Sequence, residues 1–235
     1  MKQKMKLNLK LLAAAIVLAV SGILGLSCSD NPPAILENEW RLTLFQNRIL
    51  GVTYQKLSVF IRAEDKDGTD DLAAMHVIND DAELVWTFEA ENWESVQKRG
   101  NPWVGTNSIV MPDSSPFPIG LYRVLLEDKS GKIVETSFFL KRQNIETKSA
   151  RMPSAAVRGD TISVVGTADS AELWIYDAND NFLFSLPVQQ MQLPLATITS
   201  KNAELNSGFS YYISGKDQDG YYYYTNGPYY YSPEQ

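Results

Sequence analysis

Histidine, cysteine and paired carboxylates build most catalytic and metal sites, and this chain holds one histidine, His76, and one cysteine, Cys28. A serine or cysteine nucleophile activated by imidazole would have to use His76. A metal site with two histidine ligands is excluded outright. His76 lies in Ala73-Ala74-Met75-His76-Val77-Ile78, which reads as a strand, so its expected role is structural. Hydrolysis by carboxylates needs two of them held as an acid/base or nucleophile pair. Asp70, Asp71, Asp80, Asp81, Glu83, Glu89, Glu91 and Glu94 are plentiful, but most fall in turns or at strand ends and nothing marks a buried pair. The expectation is a protein without catalysis and without a cofactor.

Hard cations need several oxygens at once. Asp65-Lys66-Asp67-Gly68-Thr69-Asp70-Asp71 offers the carboxylates of Asp65, Asp67, Asp70 and Asp71 within seven residues. An EF-hand loop starting at Asp65 would need Glu at its twelfth position, where His76 stands. Asp177-Ala178-Asn179-Asp180-Asn181 is similar to the calcium-binding string of cadherin linkers, yet here it joins two strands. Asx residues cap turns without any metal, so both stretches read as turns, with calcium as the alternative. Aromatic residues are the stronger signal. Tyr221-Tyr222-Tyr223-Tyr224 on one strand must point alternately to both faces, and Tyr229-Tyr230-Tyr231 follows closely. Trp86, Trp93 and Trp103 form a second group, with Trp86 expected in the core and residues 91–104 expected as a loop leaving the fold. Tyr221, Tyr222, Tyr223, Tyr224, Tyr229, Tyr230, Tyr231, Trp93 and Trp103 are the candidate binding surface, since Tyr and Trp combine rigid apolar area with a polar tip.

The N-terminus places these residues in a compartment. Lys2, Lys4, Lys6 and Lys10 precede an apolar run from Leu11 to Leu26, with no acidic residue before Cys28. This is the pattern of a secretory signal, and about 16 apolar residues are short for a bilayer span. Leu24, Ser27 and Cys28 resemble a bacterial lipobox, although Gly25 and Leu26 depart from its usual order. The resemblance implies cleavage after residue 27, acylation of Cys28 and a tether over residues 28–37 that includes Pro32-Pro33. Loss of residues 1–27 removes four lysines and leaves 17 basic against 28 acidic residues, a net charge of −11 in place of −7. That charge argues against nucleic acid as a partner. The expected partners are a membrane, reached through covalent lipid, and a protein in the envelope or outside the cell, with a glycan as the alternative.

The remaining chain reads as strand after strand. Leu57, Val59, Ile61 and Ala63 alternate with Ser58, Phe60 and Arg62, and Trp40, Leu42 and Leu44 alternate with Arg41 and Thr43. Asp/Asn/Gly turn signals at residues 65–68, 79–81, 128–131, 177–181 and 217–220 separate the runs. Tyr122 and Tyr211 each follow a glycine-led strand start and precede an Asp/Gly turn, so two halves share one plan. Leu205, Gly208 and Tyr211 have the spacing of a fibronectin type III tyrosine corner. The expectation is all-β: two tandem antiparallel sandwiches, immunoglobulin-like over 38–146 and fibronectin type III-like over 147–235, in a lipid-anchored binding or assembly module of the cell envelope.

Overall fold

Period-two alternation sets this architecture strand by strand. The computed structural model describes residues 31–66, 68–141, 152–166, 171–216 and 223–233. Cys28, Asp67, Tyr221, Tyr222 and the signal sequence therefore lie outside the described residues. Strand β1 (Ala34–Asn47) pairs antiparallel with β2 (Val52–Glu64) along nearly its whole length. Leu57, Val59, Ile61 and Ala63 of β2 are buried, whereas Lys56, Ser58, Phe60 and Arg62 are only half-buried. Each buried Leu, Ile or Val contributes about 1.5–3 kcal/mol of transfer free energy, so this pattern pins the face and the register together.

Six further strands complete the first half: β3 (Leu72–Asn79), β4 (Leu84–Glu89), β5 (Glu94–Lys98), β6 (Asn101–Val110), β7 (Gly120–Asp128) and β8 (Ile133–Leu140). They form the order β1-β2-β6-β5 on one side and β4-β3-β7-β8 on the other. Between them lies one core that includes Leu42, Leu57, Met75, Val77, Tyr122, Val124 and Leu140. Residues 91–104 are not a loop. Val96 pairs with Trp103 across a β5–β6 hairpin that extends the sheet.

The second half comprises β9 (Ser154–Arg158), β10 (Thr161–Val165), β11 (Glu172–Tyr176), β12 (Phe182–Pro187), β13 (Gln192–Pro194), β14 (Phe209–Lys216) and β15 (Tyr223–Tyr231). The orders β13-β10-β9 and β12-β11-β14-β15 enclose a second core containing Ile162, Leu173, Ile175, Leu205, Tyr211 and Ile213. The end of β13 leads directly into α1 (Leu195–Thr199), which buries Leu195 and Ile198. The protein is all-β, built from several antiparallel sheets in sandwich form.

One junction was not foreseen from the sequence. Strand β1 pairs in parallel with β15, from Thr43 opposite Tyr223 to Asn47 opposite Gly227. The two sandwiches thereby share a continuous eight-stranded sheet, β12-β11-β14-β15-β1-β2-β6-β5. Each of β1 and β15 would otherwise be an open edge, with unpaired N–H and C=O groups. Arg48 reinforces the seam: its N–H donates to Gly227 O at 2.8 Å, and its guanidinium lies 4.2 Å from the Tyr229 ring centre. Buried Asn226 donates to Pro153 O at 2.7 Å and to Tyr229 Oη at 2.9 Å, tying β15 to the start of β9.

Candidate functional site

The outer face of the shared sheet carries a cleft of 260 Å³ across the seam. Alternation explains its lining. Because Leu42 and Leu44 point inward, Thr43 and Phe45 point outward; because Leu173 and Ile175 point inward, so do Trp174 and Tyr176 outward. Lys56 and Ser58 enter from β2, Tyr212 from β14 and Thr225 from β15, with Asn107 and Asp180 at the margins. Small residues on the central strands (Thr43, Ser58 and Thr225) make the floor, and larger side chains on the flanking positions make the walls.

Five aromatic rings form a band across the strands on this face. Phe182 meets Tyr176 at 5.5 Å, Tyr176 meets Tyr212 at 5.2 Å, Tyr212 meets Phe45 at 6.1 Å and Phe45 meets Tyr54 at 5.2 Å. These separations lie within the range in which aromatic pairs attract. The band crosses β15 because residue 227 is glycine. A Cβ there would lie 2.5 Å from Tyr212 Cδ1 and 2.7 Å from its Cγ.

Burial shifts titratable groups in the lining. Burial strips water from the Lys56 ammonium and lowers its pKa, an effect that nearby Glu94 opposes. The same ammonium sits 5.0 Å from the Phe45 ring centre, within reach of a cation–π attraction. Burial pushes the Tyr212 hydroxyl up to about 12, with Tyr176 and Asp180 adding to the shift. The hydroxyl is therefore a neutral donor and acceptor at ordinary pH.

The residues singled out from sequence are dispersed. Trp103 is 4% exposed under Lys98, whose ammonium lies 4.9 Å from both the Trp103 and Phe60 rings, so it offers no binding surface. Trp93 and Trp86 are partly buried against the first core. Tyr224 and Tyr229 are buried in the second core, and Tyr231 packs against it. Tyr223 is half-buried beneath Arg41 at 4.3 Å, on the face that carries the cleft but beyond its lining. Tyr230 is 58% exposed.

Tyr211 and Leu205 are both in the second core, with Tyr211 stacked on Tyr229 at 5.3 Å. The hydroxyl-to-carbonyl tie of a tyrosine corner is made in the other half, where Tyr122 Oη donates to Pro118 O at 2.8 Å.

Asp65 and Asp71 group with Asp128, their carboxylate oxygens within 4.8 Å, whereas Asp70 is not in that group. Asp128 Oδ1 already accepts from Ser130 N, Ser130 Oγ and Lys132 N. Burial raises the Asp128 pKa, but these bonds and Lys132 outweigh it and the net shift is downward. Asp177 likewise serves its own turn: Asn179 N and Asn181 N donate to Oδ1, and Asn181 Nδ2 donates to Oδ2. His76 lies on the opposite sheet, with Nδ1 2.9 Å from Thr87 Oγ1 and Nε2 3.4 Å from Glu127 Oε2.

Phe45, Lys56, Trp174, Tyr176 and Tyr212 went unnoticed in the sequence. The usable signal was the run Leu173-Trp174-Ile175-Tyr176, in which one face is aliphatic and the other wholly aromatic.

No family model matches the chain, and no curated protein matches it. Among solved structures, the chain is similar to one described as giving insight into host cell surface retention of a 1.5-MDa bacterial ice-binding adhesin. The identity is 7% and the TM-score 0.23, with 85% of this chain and 64% of that one covered. So distant a likeness bears on neither ligand nor mechanism. Among the described residues, no helix is long and apolar enough to cross a membrane. What fold and site define together is an all-β protein of joined sandwiches with an aromatic cleft on its shared sheet.

Proposed function

We propose that this protein is a non-catalytic recognition module of a bacterial cell envelope, held at the membrane by lipid on Cys28. The observation that carries the reading is the seam cleft, where tilted and edge-to-face aromatic rings and hydroxyl-bearing side chains line one concave surface. A concave surface that sets apolar rings among placed polar groups is suited to holding a ligand. The absence of catalysis is supported by the cleft's chemistry. Its lining includes one carboxylate, Asp180, and the pair needed for carboxylate hydrolysis is not assembled there. His76 is on the opposite sheet. The tether read from sequence as residues 28–37 is shorter, because β1 already begins at Ala34; it would keep the sandwiches near the membrane, and two or more acyl chains would hold them stably.

The test uses two substitutions. In cells, Cys28→Ser should abolish acyl labelling; unchanged labelling removes the anchor. The mature chain carrying Cys28→Ser should be retained by washed envelope from the producing bacterium. Adding Trp174→Ala should cut that retention at least tenfold with the melting temperature unchanged. Equal retention would take the cleft out of the function.

A further inference from the structure

Resting on that reading, we infer that the cleft's ligand is a neutral saccharide chain, lying across the strands with its sugar faces on Trp174 and Tyr212. The location limits what can be read there. The cleft lies in mid-sheet, where the ladders of β14, β15, β1 and β2 consume the backbone N–H and C=O groups. A peptide adding itself as a strand needs a free edge, and this face has none at the seam. Only side chains can address the ligand.

Those side chains are of two kinds. Aromatic residues line the walls, and the hydroxyl-bearing Thr43 and Ser58 line the floor, with Asn107 at one margin. A hydroxyl both donates and accepts, so it is matched best by a ligand whose groups do the same. Covering such a floor with an apolar peptide side chain would leave its hydroxyls buried without partners, which weakens binding. A sugar ring has an apolar C–H face and a rim of hydroxyls, and it satisfies wall and floor together.

Charge and shape narrow the class. Lys56 and Asp180 bring opposite charges to the same lining, which favours a neutral chain over a polyanion. At 260 Å³ the cleft is slightly below the roughly 300–1,000 Å³ of small-molecule pockets, so it grips a short stretch of the ligand. The aromatic band continues outward to Phe182, which is 55% exposed, and gives the chain a path beyond the cleft. Tyr212 is fixed beforehand by Tyr176, Phe45 and the Gly227 backbone. A ring already ordered loses little freedom on binding.

The experiment measures retention of the mature Cys28→Ser chain on washed envelope, either untreated, oxidised with periodate to cleave vicinal diols, or digested with protease. Alongside it run Trp174→Ala, and Trp174→Phe, which keeps a ring. The expected result is retention that survives protease, falls at least tenfold after periodate and with Trp174→Ala, and largely recovers with Trp174→Phe. Retention that resists periodate but is lost to protease and to Trp174→Ala would overturn the saccharide and leave the recognition module standing, with a protein ligand. Retention equal in wild type and Trp174→Ala, or none at all, would overturn both.

Discussion

Tyrosines with similar sequence surroundings do different work in the two halves. Tyr122 and Tyr211 are both buried, and burial lifts both hydroxyls to about 12. Tyr122 ties its strand to the carbonyl of Pro118, whereas Tyr211 packs face to face with Tyr229. Tyr122→Phe should therefore destabilise the protein by about 1 kcal/mol, the net worth of one hydrogen bond, measured by chemical denaturation. An unchanged midpoint would show that Pro118 finds an equal partner in water. The acidic turns obey the same local logic. Asp128 and Asp177 each accept several donors from their own turns, which is what an Asx residue does without a cation.

Strands β14 and β15 carry the tightest element-level constraint. Tyr212 sits at an irregularity in their pairing, between Tyr211 opposite Tyr229 and Ile213 opposite Asn226. Its ring lies over the Gly227 backbone, close enough that any side chain there must displace it. Gly227→Ala should move Tyr212 off Phe45, weaken envelope retention several-fold and lower the melting temperature. A variant that binds and melts like wild type would mean that the band tolerates a gap at its centre. Gly105 meets the same constraint on β6, where an added Cβ would meet Val59 O and the Phe60 backbone and ring. Glycine in a sheet interior often marks close approach of another group, and both positions fit that rule.

At the scale of the molecule, the seam decides what the protein can present. Pairing β1 with β15 removes two open edges and brings walls from both halves to one cleft. A fragment limited to residues 31–141 should keep the first core but expose β1. It should self-associate at concentrations where the mature chain stays dispersed, measured by light scattering, because unpaired edges template further pairing. Equal dispersion of fragment and chain would show that β1 needs no partner.

Much of this was legible in the sequence, for a reason particular to strands. Alternation over Leu57–Ala63 and the Asp/Asn/Gly turns are local, and burial rewards them residue by residue, so the all-β class and most strand positions could be read directly. The signs that failed were also local but shared by two outcomes. A tyrosine run such as Tyr229-Tyr230-Tyr231 says that faces alternate, yet not which ring is covered, and Trp103 looks the same exposed or capped by Lys98. The short helix at Leu195–Thr199 is likewise apolar enough to pass for a strand. The cleft was out of reach because its walls meet only through the parallel pairing of β1 with β15. Thr43 and Tyr223 stand 180 residues apart in the chain, and no pattern within either segment encodes the other as its neighbour. Sequence determined which faces are apolar; tertiary structure alone decided which outward faces meet, because that choice rests on non-local backbone pairing.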